Sequence, residues 1–438
     1  MILGIIVAIL MFSIIILAHE YGHFKTARIF GVKVYEFGLG LPPRAKKIGK
    51  DKKGTIYSLN WLPLGGFVKL AGENIHTFKV YDEDGNLFNN EDLEKAINEG
   101  KKIYDDKGEE IPVGNVEEMK SLLAENNSPE SLLNKPAWQQ AIVILAGVTM
   151  NFMLAIIVFS ILFFVGVQPI GLNTKIDTSL PIKLIPTIEQ AKESGIFIKK
   201  EGIVVSPLTG SLAQTSGLQD NDIITKINSQ KISDLKLFQK IIKDNASKEI
   251  TLELQRDKDK KEIKITPSKE GKIGTYIGEN LELNKNFEYK YGLVDSIKYG
   301  TIETYSQSML TLKALGILSR KIFNPETPKD RQDAIASVSG PIGTVDVIAK
   351  IVPQGFIVIL VIGAIISINL GIFNLLPIPA LDGGRFLFLS INGIVLRLFG
   401  KKAINERLEA IIHTGFFVFL IGLSIIIAYN DISRIINN

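Results

Sequence analysis

Four apolar segments, each close to the length that a helix needs to cross a bilayer, constrain this chain more than any other feature of its sequence. A helix crosses the hydrocarbon core with about 20 residues. Hydrophobic residues make up 46% of the 438-residue chain, and they cluster into four segments near residues 1–24, 141–167, 356–376 and 411–428. The sequence therefore predicts a multi-pass α-helical membrane protein with four transmembrane helices.

Lysine and arginine residues near the ends of these segments predict the orientation of the chain, because cytoplasmic loops carry an excess of both. Nine basic residues lie between Lys25 and Lys53, after the first segment, and five lie between Arg385 and Arg407, before the fourth. We expect both loops to be cytoplasmic. The N- and C-termini and the long segment 168–352 are then extracytoplasmic.

The composition narrows the chemistry that the chain can perform. It has no cysteine, so disulfides and thiolate metal sites are excluded, and a metal site must use histidine and carboxylate ligands. The formal net charge of +4 is small for this length, and no basic-aromatic array suggests a nucleic-acid partner. The partner that the apolar segments imply is the lipid bilayer.

The end of the first apolar segment carries the string His19-Glu20-Tyr21-Gly22-His23, an H-E-x-x-H pattern. Residues four apart share a helix face, so His19 and His23 can reach one metal ion. Glu20 projects close by, where it can take a proton from water activated by the metal. The pattern also arises by chance in soluble proteins. Here it adjoins sequence in which ionisable residues are costly, and this favours a metal site at the membrane.

Two histidines need a third protein ligand, usually a carboxylate in zinc sites that leave one position for water. Asp382 is the single charged residue in the stretch 351–384, and Pro377 and Pro379 break the helix just before it. The alternative interpretation of Asp382 is a turn, because Asp-Gly-Gly is ordinary turn chemistry. His413 lies at a suitable depth at the start of the fourth segment. We prefer Asp382 as the ligand because it comes with the proline-broken segment.

H-E-x-x-H in a first span and the N-x-x-P-x-P-x-L-D-G pattern of residues 374–383 in a later span together resemble the site-2 protease family of intramembrane zinc metalloproteases. The likeness is greatest to the bacterial, PDZ-containing, sigma-factor-regulating branch, and it covers nearly the whole chain. The resemblance implies one zinc ion per chain, bound by His19, His23 and Asp382, with Glu20 as general base.

The resemblance also implies substrate-binding residues. They are Asn374, Pro377 and Pro379 near the metal, and Gly65 and Gly66 in a membrane-associated β-region where an extended substrate adds as a strand. The composition of residues 32–70, rich in glycine, aromatic and β-branched residues, also favours short strands. The alternative is a small structural sheet packed on the spans.

The second span departs from the family pattern G-P-x-x-N, because it reads Gly147-Val148-Thr149-Met150-Asn151 and lacks the proline. Asn151 remains a candidate substrate contact facing the site. A helix-packing amide is the alternative interpretation of this residue.

The order of segments along the chain gives the predicted domain organisation. It comprises a transmembrane helix with H-E-x-x-H at 1–30, a cytoplasmic-side β-region at 31–73, an acidic cytoplasmic insert at 74–135, a second transmembrane helix at 136–168, an extracytoplasmic PDZ-like α+β domain at 185–285, an amphipathic helical segment with a re-entry turn at 286–350, a third transmembrane helix at 352–384 and a fourth at 408–430.

Two of these regions have open roles. The glycine-rich loop with which PDZ domains bind carboxylates is not obvious, so the domain either binds peptides or acts as a size filter, and we favour the filter. The acidic insert, which begins near His76, is either partly disordered or a small folded appendage. No motif gives the insert chemistry.

The resemblance implies an intramembrane endopeptidase that cleaves the transmembrane segments of single-span proteins in regulated intramembrane proteolysis. Its substrates would be anti-sigma factors or signal-peptide remnants, shortened first by an upstream site-1 protease, in the bacterial cytoplasmic (inner) membrane. The alternative function is an inactive PDZ-bearing membrane scaffold, which has no reason to keep all four metal-site residues. A metal transporter is a third interpretation, but the spans hold few polar residues for a pathway.

Overall fold

A computed structural model describes residues 2–73, 80–86, 88, 90–104, 109–111, 116, 128–176, 178–257, 259–338, 340–399 and 406–437. The chain divides into two compact units. The first comprises Met1–Ile170, Thr178–Leu184 and Tyr289–Asn438, and the second comprises Gly171–Asp177 and Ile185–Glu288.

The secondary structure is numbered in chain order. The helices are α1 Ile2–Ile29, α2 Asn90–Asn98, α3 Ala137–Val165, α4 Ile188–Glu193, α5 Leu212–Thr215, α6 Leu235–Asp244, α7 Leu293–Phe323, α8 Pro328–Ser337, α9 Pro341–Ile351, α10 Phe356–Leu375, α11 Asp382–Phe399 and α12 Glu406–Asn437. The strands are β1 Val34–Lys50, β2 Ile56–Leu70, β3 Phe197–Pro207, β4 Asp222–Ile227, β5 Gln230–Lys231, β6 Ile250–Arg256, β7 Asp259–Ile265 and β8 Thr275–Leu283.

Four helices in the described part of the chain are long and apolar enough to cross a membrane: α1, α3, α10 and the stretch Ile411–Ile436 of α12. This confirms the four predicted spans. The fourth differs from the others, because none of its most apolar 18-residue window is buried, against 39% of the window in α3. Helix α3 packs against α1, α7 and α10, and it is the central helix of the first unit.

The predicted β-region consists of two long, bent, antiparallel strands, β1 and β2, that pack on the spans. Phe37 pairs with Val68 and Leu39 pairs with Gly66. Val34 and Val68 of these strands share a buried cluster with Phe24 of α1 and Val143 of α3. This apolar packing fixes the end of β2 beside the C-terminal end of α1.

The described part of the acidic insert is folded. Val80, Leu93 and Ile103 are buried together, and Leu93 lies on the amphipathic helix α2. These contacts favour a small appendage over disorder for the described residues. His76 and the pair Asp105-Asp106 lie outside the described residues.

Helix α7 buries its polar side and exposes its apolar side. Glu303 and Gln307 are buried, Gly300 packs against Ser160 of α3, and Ile297 is exposed. The carboxylate of Glu303 accepts hydrogen bonds from the backbone N–H groups of Lys183 and Leu184. This inverted pattern suits a helix with a lipid-facing apolar side, where polar groups turn toward protein.

Two helices beside the third span, α9 and α11, are additions to the predicted organisation. Helix α9 lies before the third span and follows α8 at a bend of 68°, where the re-entry turn is predicted, although Ser339 of that turn lies outside the described residues. The N–H groups of Gly340 and Gly343 donate to the carboxylate of Asp431 on α12 at 2.9 and 2.8 Å. The second addition, α11, begins at Asp382, so the third span ends at Leu375 instead of continuing to 384.

The second unit is a small α+β domain. Its sheet has the strand order β7-β6-β4-β3-β8, with β5 paired to β4, and Phe238 and Ile242 of α6 contribute to its core. Its mixture of helices and strands agrees with the α+β composition predicted for residues 185–285. The identification of this domain as PDZ-like stays a prediction.

A buried ion pair joins two strands of this domain. The Asp222 side chain is fully buried, and the Arg256 guanidinium donates to both of its carboxylate oxygens at 2.7 Å. Burial opposes the ionisation of Asp222, but the hydrogen bonds from Arg256 and from the Gln219 N–H outweigh it and lower the pKa of Asp222. Ionised Asp222 therefore stabilises the folded domain above its ordinary pKa, and this stabilisation is lost as the pH falls through the lowered value.

We expect Arg256→Met to reduce the free energy of unfolding of the second unit by about 3 kcal/mol, because it leaves a buried carboxylate unpaired. Hydrogen exchange of the β4 and β6 amides in the detergent-solubilised full-length protein measures this change. The control is Lys226→Met, which removes a more exposed pair with Glu253 and should cost less than about 1 kcal/mol. Equal losses of unfolding free energy from the two substitutions would contradict a larger contribution from the buried pair.

Candidate metal centre

The structure brings together the three predicted metal ligands, which come from α1 and from the first residue of α11. Nε2 of His19 lies 3.1 Å and Nε2 of His23 lies 3.4 Å from Oδ2 of Asp382. The two Nε2 atoms are 3.2 Å apart. Among the described residues, these three form the group of histidine and carboxylate side chains that could hold a metal ion.

The geometry of this group fits zinc. Bond lengths of 2.0–2.2 Å in a tetrahedral site place ligand atoms about 3.3–3.6 Å apart, and the three observed separations of 3.1, 3.2 and 3.4 Å lie within or just below this range. Oδ2 of Asp382 is buried and has no hydrogen-bond partner among the described residues. A buried carboxylate oxygen without a partner is unfavourable. A cation bound between this oxygen and the two imidazoles would satisfy it.

Nδ1 of each imidazole contacts α3, and Nε2 therefore faces the metal position. Nδ1 of His23 donates to the carbonyl oxygen of Val143 at 2.8 Å. Nδ1 of His19 lies 3.2 Å from the side-chain amide of Asn151. Contacts of this kind fix the tautomer and the orientation of metal-binding histidines.

Glycine at position 147 makes room for both imidazoles. A Cβ at Gly147 would lie 2.7 Å from Nε2 of His19 and closer still to Nε2 of His23. On the facing helix, a Cβ at Gly22 would overlap the carbonyl group of Ala146. The two glycines allow α1 and α3 to cross in direct backbone contact at the level of the histidines.

Glu20 lies between the metal ligands and the β-region. Its carboxylate accepts a hydrogen bond from the backbone N–H of Val68 in β2 at 3.1 Å. The side chain of the predicted base therefore reaches the strand that is predicted to receive substrate. Sequence reasoning missed this contact, because no local pattern links residues 48 positions apart.

The predicted substrate-binding residues occupy three places. Asn374 lies in the last turn of α10, and Pro377 and Pro379 lie in the non-helical segment 376–381 that leads to Asp382. Gly65 and Gly66 are buried, and they pack β2 against Ile16 and Leu17 of α1, one turn before His19. A role for these five residues in substrate binding stays a prediction.

Asn151 lies beside the metal ligands, and its contact with substrate stays a prediction. Its side chain is fully buried, its backbone carbonyl accepts a hydrogen bond from Ser367 of α10, and its amide faces His19. These contacts favour a role in orienting His19.

Asp382 is the first residue of a helix. Gly383 and Gly384 lie in the first turn of α11, so the interpretation of Asp-Gly-Gly as a turn is wrong. Arg385 follows these glycines. Its guanidinium donates to Oε1 of Glu73 at 2.9 Å and to the backbone oxygen of Glu73 at 2.8 Å, and Glu73 follows β2. This ion pair fixes the start of α11 to the β-region, and sequence reasoning did not identify it.

His413, the alternative third ligand, is turned toward the backbone of the ligand segment. Its Nδ1 accepts a hydrogen bond from the N–H of Ala380 at 2.9 Å, and it is not part of the group that can hold a metal. This arrangement agrees with the preference for Asp382.

The comparison with known protein families decides the class to which this site belongs. The model of peptidase family M50 matches residues 7–423, which include all four predicted metal-site residues. The chain belongs to peptidase family M50. As a member of this family it is a zinc metalloprotease with Zn²⁺ as its cofactor, and the resemblance to site-2 proteases is confirmed.

Relatives align with the M50 chain from end to end. The zinc metalloprotease RasP of Oceanobacillus iheyensis is 29% identical, over 98% of this chain and 99% of that protein. The regulator of sigma-W protease RasP of Bacillus subtilis is 28% identical over 98% of each chain. Together with the four apolar helices, these relatives identify the chain as a multi-pass protein of a bacterial membrane.

We expect Gly147→Ala to displace the histidines and to remove most of the bound zinc, because the added methyl group occupies the space of both Nε2 atoms. Zinc content per chain of the purified M50 protein measures the loss. The matched control is Gly415→Ala in α12, where a Cβ meets no atom within 4 Å. Full zinc content in folded Gly147→Ala protein would contradict this account.

A second prediction concerns Asn151. When Nε2 of His19 binds zinc, its Nδ1 carries a proton, and the amide oxygen of Asn151 has no other partner among the described residues. Rotation of the amide brings this oxygen to Nδ1–H. We expect Asn151→Leu to weaken zinc binding about 10- to 100-fold, measured by competition with a chelator. A higher KM with unchanged zinc affinity would support the substrate-contact interpretation instead.

Proposed function

We propose that this M50 protease cleaves the transmembrane segments of single-span membrane proteins, with His19, His23 and Asp382 as its zinc ligands and Glu20 as its general base. The observation that carries this proposal is the convergence of the three ligand atoms beside Glu20, at the end of one apolar helix and next to the end of another. Chemistry at this position acts on peptide bonds that lie in or near the bilayer.

The β-region supports an intramembrane substrate. A transmembrane helix hides its peptide carbonyls in hydrogen bonds between residues four apart, so cleavage requires local unwinding. An extended peptide can pair with the edge of a strand through its main chain. The hydrogen bond from Val68 to Glu20 places β2 next to the proposed base, so a peptide paired with this part of β2 lies at the metal centre.

The chain supplies the proton transfer. When bound, zinc activates water near neutral pH and polarises the scissile carbonyl group. Glu20 accepts the proton of the attacking water and returns it to the leaving amine. Asn374, Pro377 and Pro379 border Asp382 in sequence and, on this proposal, hold the unwound substrate.

The substrate class follows from a relative. The Bacillus subtilis relative is named a regulator of sigma-W protease. We infer that anti-sigma factors, or signal-peptide remnants, are substrates here, after an upstream site-1 protease has shortened them. On this proposal both termini are extracytoplasmic in the cytoplasmic (inner) membrane, and the second unit keeps bulky outer domains away. The intact ligand set argues against an inactive scaffold.

We expect Glu20→Gln to reduce cleavage of a single-span substrate at least about 100-fold while zinc content stays unchanged, because the amide cannot accept the proton. The measurement is cleavage in proteoliposomes, with exposed Glu130→Gln as the matched control. Two substrates are compared, one with a short outer segment and one with a folded outer domain.

Undiminished cleavage by Glu20→Gln would overturn the proposed base. Equal cleavage of both substrates would overturn the size filter while leaving the base assignment intact. Cleavage confined to soluble peptides, with the membrane-embedded substrate intact, would overturn the proposed substrate class.

A further inference from the structure

The segment that carries Asp382 to the metal centre has little regular structure of its own. Between Leu376 and Leu381 the chain is not helical, and two of its six residues are prolines, which have no backbone N–H. The N–H groups of Leu376, Ile378 and Leu381 bond to carbonyl groups at most three residues away. The remaining N–H, that of Ala380, bonds outside the segment.

The acceptor of this hydrogen bond is His413 on α12, 33 residues later in the chain. Nδ1 of His413 lies 2.9 Å from the N–H of Ala380. Ala380 has a φ of 79°, a left-handed conformation that residues with a Cβ rarely adopt without support from their surroundings. The hydrogen bond to α12 therefore holds the least favourable backbone conformation of the segment.

The same hydrogen bond defines the tautomer of the neutral His413 imidazole. Because Nδ1 accepts a hydrogen bond from the backbone N–H, the neutral ring carries its own proton on Nε2. The ring packs against Phe388 of α11, with centroids 5.3 Å apart. His413 thus contacts both the segment before Asp382 and the helix that Asp382 begins.

We propose that His413 is a positioning residue for the third metal ligand: its hydrogen bond to Ala380, two residues before Asp382, fixes the segment that presents the carboxylate to His19 and His23. Arg385 fixes the other side of Asp382, three residues later, through Glu73. The two contacts hold the segment from opposite sides. This inference rests on the proposed role of Asp382 as a zinc ligand.

Zinc affinity, measured by chelator competition on the full-length detergent-solubilised protein, tests the inference without substrate. His413→Phe keeps an aromatic ring against Phe388 but removes the acceptor, and should weaken zinc binding about 10- to 100-fold. His413→Asn places an amide oxygen where Nδ1 lies, and should bind zinc within about threefold of the native protein. The matched control is Thr414→Leu, an exposed neighbour on the same helix.

Each outcome bears on the proposal. Native affinity in folded His413→Phe overturns it, and so does an equal loss in the Phe and Asn variants, because a packing role would not be rescued by asparagine. If His413→Phe does not fold, His413→Ala replaces it with the same expectation.

The visible absorption spectrum of the cobalt-substituted protein gives a second readout. It should differ from the native spectrum in His413→Phe and match it in His413→Asn. Failure of the proposed substrate class would leave these metal measurements unchanged, so the two proposals fail separately.

Discussion

The close crossing of α1 and α3 is the contact on which the rest of the metal centre depends. Gly22 and Gly147 remove the side chains that would separate the helices, and the imidazoles of His19 and His23 occupy the resulting space. The carbonyl group of Val143 then meets one ring. A single larger side chain at this crossing would separate the histidines from the helix that orients them, whatever happened to the ligands themselves.

The metal centre places polar side chains among apolar helices. Two imidazoles and a carboxylate are costly to bury unless each is satisfied. Nδ1 of His23 donates to a backbone carbonyl group of α3, and Glu20 accepts a hydrogen bond from the backbone of β2. Arg385 is paired with Glu73. Oδ2 of Asp382 and the Nε2 atoms of His19 and His23 face one another, so the same contacts that stabilise the fold prepare the site for a cation.

Local patterns in the sequence predict a large part of this arrangement. The apolar segments predict the spans because about 20 apolar residues have few other uses, and the four-residue spacing of His19 and His23 predicts their shared face. The isolation of Asp382 in an apolar stretch, with prolines before it, predicts the third ligand.

The sequence does not predict the partners of these residues. Arg385 and Glu73 are 312 positions apart, and an ion pair at that distance has no local signature. Helix α11 is not predicted because two glycines at its start are poor helix formers, and the close packing that requires them is not visible in the sequence.

The fourth span has a consequence for how the protein sits in its bilayer. None of its most apolar window is buried, yet His413 near one end bonds to the ligand segment and Asp431 near the other bonds to the start of α9. These residues are 18 positions apart, about 27 Å along a helix, close to the thickness of the hydrocarbon core. The two polar attachments near its ends therefore hold this helix to the rest of the first unit, while none of its most apolar window between them is buried by protein.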